Sequence, residues 1–201
     1  MTDIPTTPPS GLRDFLPEAC ARRDLVVETI ARVYRSYGFC RISTPAIEDL
    51  AVLTGKGGGE NEKLIFKILK RGEKLELSLG SPDLADMGLR FDLTLPLARF
   101  YSRHRGVLPT PFKAFNIGPV WRAERAQKGR YREFYQCDVD ILGSESLHCE
   151  VEVISAVLSV FSTLSLPQPV TVINDRGLLH SLLDLAGVPP AKRGGVCVLL
   201  D

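Results

Sequence analysis

The feature that most constrains this chain is a pair of strand-like runs, residues 112–123 and 131–142, set on either side of a short polar loop. Two extended runs this close in sequence pair most simply as antiparallel neighbours. Side chains two apart on a strand share a face. Arg122 and Glu124 therefore project together from the entering strand, and Phe134, Gln136, Asp138 and Asp140 from the returning one. Burying such a row is costly unless its members meet ligands or one another. The row marks either a lined cleft or the solvated outer face of a two-layer sheet, and alternation alone allows both.

Charge sharpens the question. The chain of 201 residues carries Lys+Arg 25 against Asp+Glu 24, so it has almost no net charge to steer it toward phosphate. Any anion-binding surface must be local. Within WRAERAQKGRYREFYQCDVD, residues 121–140, Arg122, Arg125, Lys128, Arg130 and Arg132 outnumber Glu124 and Glu133 around the loop, and this is that local patch.

Other features narrow the class. The glycine-rich stretch LTGKGGGE, residues 53–60, lacks both the Lys-Ser/Thr pair of a Walker loop and the glycine spacing of a dinucleotide loop, so it reads as a connection. Cys20, Cys40, Cys137, Cys149 and Cys197 are odd in number and form no CxxC pair, which fits a reducing cytosol and no structural zinc. No basic leader precedes an apolar run, and no stretch is long enough to span a membrane, so the expected location is cytoplasmic. His104, His148 and His180 stand apart without partner spacing, and structural or surface roles are expected for them.

The remaining pattern supplies a frame. Residues 1–10 read as a flexible, proline-rich arm. Leu25, Val26, Ile30, Val33 and Tyr34 recur at helical spacing within residues 18–37, and Gly38 stops the helix. Residues 39–44 alternate as a strand and end at Pro45. Short strands are expected at 64–69, 75–79 and 170–173, and helices at 92–101, 147–164 and 177–186, with a further element beginning at 196–200. This order predicts an α+β fold with a mainly antiparallel sheet flanked by helices.

The run FNIGPVWRAERAQKGRYREFYQCDVDILG resembles motif 2 of the class II aminoacyl-tRNA synthetases, and in detail the histidyl family. LRFDLTLPLARF is similar to that family's histidine-pocket segment, and GLRDFLPEACARRDLVVETIARVYRSYGFCRISTPAIED to its opening and motif 1. The resemblance implies a partial class II catalytic domain over 11–201, carrying motifs 1 and 2 and stopping before motif 3. It implies ATP-dependent activation of histidine to the adenylate, transfer to tRNA(His), Mg²⁺ with the nucleotide, and a homodimer through the motif 1 region.

Position by position, the resemblance assigns Arg122 to the ATP α-phosphate and the histidine carboxylate, as the catalytic cation. It assigns Glu124 to the adenine amino group, Phe134 to the purine face and Arg130 to the terminal phosphates. Asp92, Thr94 and Gln136 would hold the α-ammonium, and Asp140 an imidazole nitrogen. Here Asp140 is shorter than the glutamate more usual in the family. No metal ligands are assigned, and catalysis by positioning and electrostatics needs no side-chain nucleophile. Without a second ATP-contacting arginine, weak ATP binding and an unpaired sheet edge are expected. The alternative is the regulatory paralogue that partners the ATP phosphoribosyltransferase of histidine biosynthesis, which binds histidine without charging tRNA.

Overall fold

A computed structural model describes residues 4–55, 60–81 and 84–200. Residues 1–3 of the arm and 56–59 of the glycine-rich stretch lie outside the described residues.

Pro17 opens α1 (Pro17–Ser36), where its missing N–H is no loss, with Glu18 in the first turn. Gly38, at φ 79°, turns the chain out of that helix into β1 (Cys40–Ile42). After β2 (Ile47–Asp49) come α2 (Leu50–Thr54), a 3-10 turn at Glu60–Leu64, β3 (Lys67–Leu69), α3 (Glu73–Glu76) and β4 (Ala85–Leu89). Then follow α4 (Thr94–His104), the long hairpin strands β5 (Phe112–Trp121) and β6 (Glu133–Leu142), and α5 (Leu147–Thr163). Residues 168–201 form a separate compact unit holding α6 (Arg176–Leu185) and α7 (Pro190–Leu200).

One sheet runs β1-β5-β6, with β1 parallel to β5 and β5 antiparallel to β6; the other runs β2-β4-β3, all antiparallel. The hairpin keeps unbroken register over ten pairs, from Phe112↔Leu142 to Trp121↔Glu133. Its two faces differ as the alternation requires. Phe115, Ile117, Cys137, Val139 and Ile141 pack on α1 and α5 against Ala31, Val33, Tyr34, Ala156 and Val160. Complete burial of Phe115 ties this layer together, a side chain whose removal costs about 3–5 kcal/mol at such sites. The opposite face carries Asn116, Gly118 and Val120 beside Asp138, Gln136 and Phe134. At one end of that face, Phe112 and Ala114 pack against Leu97 of α4.

The mainly antiparallel α+β architecture is the one the sequence predicts. Two local expectations are corrected. Residues 75–79 are not a strand: Gly72, at φ 57°, breaks the chain, and the good helix formers after it make the single turn α3. Residues 170–173 form no strand, and Val170 and Val172 are exposed. The last segment is the helix α7. Three-residue strands such as β2 carry too few positions to show alternation, and β2 and β4 are additions from the structure. Among the described residues β6 pairs with β5 alone, so its outer edge is open, and α5 exposes Leu147 and Val151 nearby.

Arg90 locks the two sheets together. Its guanidinium is buried, and donates from Nη1 to the Thr44 carbonyl at 2.8 Å and from Nε to the Pro119 carbonyl at 3.0 Å. It lies in the hollow left by Gly118, where a Cβ would come within 2.5 Å of Nη2. An arginine tip could ordinarily swing aside, but this one is tethered on both sides. Gly118→Ala should therefore destabilise the protein by about 1–3 kcal/mol, the range for overpacking. Urea unfolding checks this, and an unchanged midpoint would show that Arg90 is free to move.

Candidate functional site

Three consecutive residues after β4 dock on the open face of the hairpin. The Arg90 carbonyl accepts from the Trp121 amide at 3.0 Å, and the Phe91 carbonyl accepts from Arg122 Nε at 3.1 Å. Asp92 Oδ1 accepts from the Leu95 amide at 3.2 Å, capping the first turn of α4. One short segment thus sets the guanidinium of Arg122 and brings a carboxylate beside it. With Nε held, the terminal nitrogens of Arg122 remain for an oxyanion.

Next to them runs an acidic row. Burial raises the Asp92 carboxyl above the usual aspartate range, while the Leu95 amide and the Arg122 charge pull it back. Asp138 is also raised by burial and by the Asp92 charge, against a hydrogen bond from the Thr94 side chain. Asp140 is pushed up to about 6, first by burial and then by Asp138. Between Phe134 and Asp138, Gln136 holds a buried Oε1 that has no partner among the described residues. An unsatisfied buried acceptor beside carboxyls calls for N–H donors from a ligand.

At the other end, the Arg122 guanidinium stands 5.0 Å from the centre of the Phe134 ring. Arg122, Glu124, Gly129, Arg130, Tyr131 and Phe134 line a cavity of about 230 Å³. That is below the roughly 300–1,000 Å³ of a complete small-molecule pocket. Across it, Arg130 Nε lies 3.6 Å from Glu124 Oε2, a loose pair with Arg130 mostly exposed. A larger hollow of about 510 Å³ opens where β6 leads into α5, and Asp140 lines it with Val139, Ser144, Cys149 and Glu150.

The structure therefore brings Arg122, Asp92, Thr94 and Gln136 to one side of the sheet. Phe134, Glu124 and Arg130 gather around the cavity, and Asp140 closes the far end of the row. Phe134, Gln136, Asp138 and Asp140 are half-buried. Sequence reasoning passed over Asp138 as a functional group, although alternation had set it on this face; its contact with Thr94 comes from folding. Tyr131 and Gly129 were also missed, since loop residues carry no periodic signal. His104 packs its ring 4.8 Å from Phe100, a structural role. Among the described residues no group of three His, Cys, Asp or Glu could hold a metal ion. Chemically, one end of this face suits anions and an aromatic plane, and the other suits cations and N–H donors.

Comparisons with known proteins identify the family. The family described as histidyl-tRNA synthetase matches residues 11–201. A histidine–tRNA ligase from Leifsonia xyli is 46% identical over 203 residues, covering 98% of this chain and 47% of the relative. The crystal structure of histidyl-tRNA synthetase from Nostoc sp. superposes with a TM-score of 0.81 at 30% identity, covering 98% of this chain and 43% of that one. A Bacillus halodurans structure described as an ATP phosphoribosyltransferase regulatory subunit/histidyl-tRNA synthetase shares the fold, at 22% identity and a TM-score of 0.68. The chain thus spans less than half the length of these relatives.

An antiparallel hairpin with an arginine anchored at its mouth and a helix-flanked acidic face defines a class II aminoacyl-tRNA synthetase fold. Within that class, the chain belongs to the histidyl-tRNA synthetase family.

The acidic row has a thermodynamic consequence. The Asp140 carboxyl titrates near 6 in the folded chain against an ordinary 3.8, so between these values the folded state holds a proton that the unfolded state has lost. Stability is then full below about pH 4 and falls as pH rises toward 6, the reverse of a salt-bridged aspartate. Asp140→Asn should lessen that slope, leaving the part due to Asp92 and Asp138, and raise the melting temperature of the ligand-free protein at pH 7. Thermal melts from pH 4 to 8 test it, and a variant less stable at pH 7 would show that Asp140 is satisfied by a partner.

Proposed function

We propose that this chain supplies the ATP and histidine walls of a histidine–tRNA ligase site, with the site residues in the roles that the family resemblance implies. The observation that carries this reading is the arrangement around Arg122, which lies between an aromatic plane at Phe134 and a carboxyl row ending at Asp140. A zwitterionic amino acid with an N–H-bearing ring fits that polarity.

In this reading the purine stacks on Phe134 and its amino group donates to Glu124, which releases Arg130 toward the terminal phosphates. Asp92 and Gln136 accept from the α-ammonium, with Thr94 steadied by Asp138, and Asp140 accepts from the imidazole N–H. Arg122 draws the histidine carboxylate and the α-phosphate together. A carboxylate oxygen forms a bond to phosphorus as the bond to the bridging oxygen of pyrophosphate breaks, and the guanidinium balances the charge that builds. A hydroxyl of the terminal ribose of tRNA(His) then bonds to the carbonyl carbon of the histidyl-adenylate as the bond from that carbon to the phosphate oxygen breaks; AMP leaves, and the hydroxyl proton passes to its phosphate. A buried acceptor at Asp140 discriminates against side chains that lack a donor more strongly than an apolar slot could. Mg²⁺ is expected to arrive on the phosphates; the described residues offer it no ligand cluster of their own, and no step here depends on it.

Leu25 and Val26, exposed on α1, support a homodimer through the motif 1 region. Dispersed free cysteines support a cytoplasmic setting, and among the described residues no helix is long and apolar enough to cross a membrane. The convergence of residues on the nucleotide side favours the ligase over the regulatory paralogue.

Thermal shifts test the reading as a crossed pattern. ATP and histidine should each raise the melting temperature of the native chain. Phe134→Ala should weaken ATP at least about tenfold while histidine still binds, the loss expected for a stacking residue, and Asp140→Asn should do the converse. A protein stabilised by neither ligand, or losing both responses with either substitution, would overturn the assignment.

A further inference from the structure

The segment ahead of α1 does more than lead into the helix: it grips the hairpin that carries the nucleotide wall. The Gly11 carbonyl accepts from the Arg132 amide at 2.8 Å, and the Ser10 carbonyl accepts from Arg132 Nη1 at 3.4 Å. Arg132 in turn donates from Nε to the Glu124 carbonyl at 2.9 Å, and its own carbonyl accepts from the Arg122 amide at 2.8 Å. Arg132 thus joins both sides of the hairpin mouth to the N-terminal segment.

Gly11 is required there on two counts. Its φ is 83°, and an added Cβ would meet Arg132 Cγ at 2.8 Å and Cδ at 2.9 Å, with Ala126 Cβ at 3.0 Å. No larger residue permits this approach.

A stack of alternating rings and guanidinium groups continues the grip. Arg13 lies 3.3 Å from the Tyr131 ring centre and 5.0 Å from that of Phe15; Arg23 of α1 lies 4.7 Å from Phe15 and 4.7 Å from Tyr135. The stack starts on the hairpin loop at Tyr131, crosses the N-terminal segment to α1, and returns to β6 at Tyr135. Its loop end is functional ground, because Tyr131 also lines the cavity with Arg122 and Phe134.

We propose that Gly11, Arg13 and Arg23 are positioning residues of the nucleotide wall. They touch no substrate, but by stacking on Tyr131 and Tyr135 and seating Arg132 they hold residues 122–132 where Arg122, Glu124 and Arg130 can close on a nucleoside triphosphate. Without the strap, the loop would pay its ordering entropy on every binding event. This rests on the nucleotide reading above for its consequence, but its structural half does not.

Arg13 is exposed, so Arg13→Ala leaves the core intact. The test combines hydrogen exchange of the ligand-free chain with ATP and histidine titrations of wild type, Arg13→Ala, Arg13→Lys and Arg23→Ala. Loss of two ring contacts should speed amide exchange across 122–132 by about tenfold and weaken ATP by a similar factor. Histidine affinity and global unfolding should hold, and Arg13→Lys should recover part of the effect because it keeps the cation over the ring. Unchanged exchange in that loop, or equal loss of ATP and histidine binding, would overturn the proposal. Faster loop exchange in a chain whose wild type ignores ATP would instead uphold the strap and remove the nucleotide reading.

Discussion

A buried guanidinium with no hydrogen-bonded carboxylate among the described residues is an unusual thing to place between two sheets, and the rest of this structure depends on it. Arg90 joins the β1–β2 connection, through Thr44 and Pro45, to Pro119 on the hairpin. Burial lowers its proton affinity, and the Glu48 charge offsets part of that loss. Glu48 is itself buried and held by two bonds of 2.7 Å from Arg99 of α4. Removing either member would strand the other in a poorly solvated place. Because Arg90, Phe91 and Asp92 are consecutive, fixing the first fixes the anchor of Arg122 and the carboxyl beside it. Precision at the site follows from packing one step away.

The acidic face of the hairpin costs stability. Burial raises Asp92, Asp138 and Asp140, the Asp92 charge adds to Asp138 and the Asp138 charge to Asp140, and Gln136 keeps a buried oxygen with no partner among the described residues. An apolar or paired face would be more stable. Preorganised acceptors held at a cost in stability are what a binding face needs if its ligand is to supply the missing donors without reorganisation. Arg122 is the counterweight, since it moderates Asp92 while remaining available to an anion.

Much of this was legible in the sequence because the hairpin is long. Ten paired positions give alternation room to declare itself, so the shared face of Phe134, Gln136, Asp138 and Asp140 could be read before any coordinates. The helix α1 was legible for the same reason. What escaped had short elements or distant causes. β2 and β4 form their sheet through pairing across 38 or more residues, which no local window reports. Residues 75–79 look like a strand by composition, yet the turn at Gly72 leads into the helical turn α3. The roles of Arg90 and Gly118 were invisible, because a glycine in a strand and an arginine before a phenylalanine have no signature until they meet. Arg13 and Tyr131, 118 positions apart, are a further case.

In the proposed reading, one face of the β5–β6 hairpin carries both an anion end and an ammonium end, opposed across Arg122. A crystal structure of the chain with histidine and a non-hydrolysable ATP analogue tests this most directly. The account predicts the imidazole against Asp140, the α-ammonium between Asp92 and Gln136, and the purine over Phe134, with Arg122 touching both molecules. Ligand density on the α1 side of the sheet, or histidine bound with its ring away from Asp140 and its carboxylate out of reach of Arg122, would contradict it.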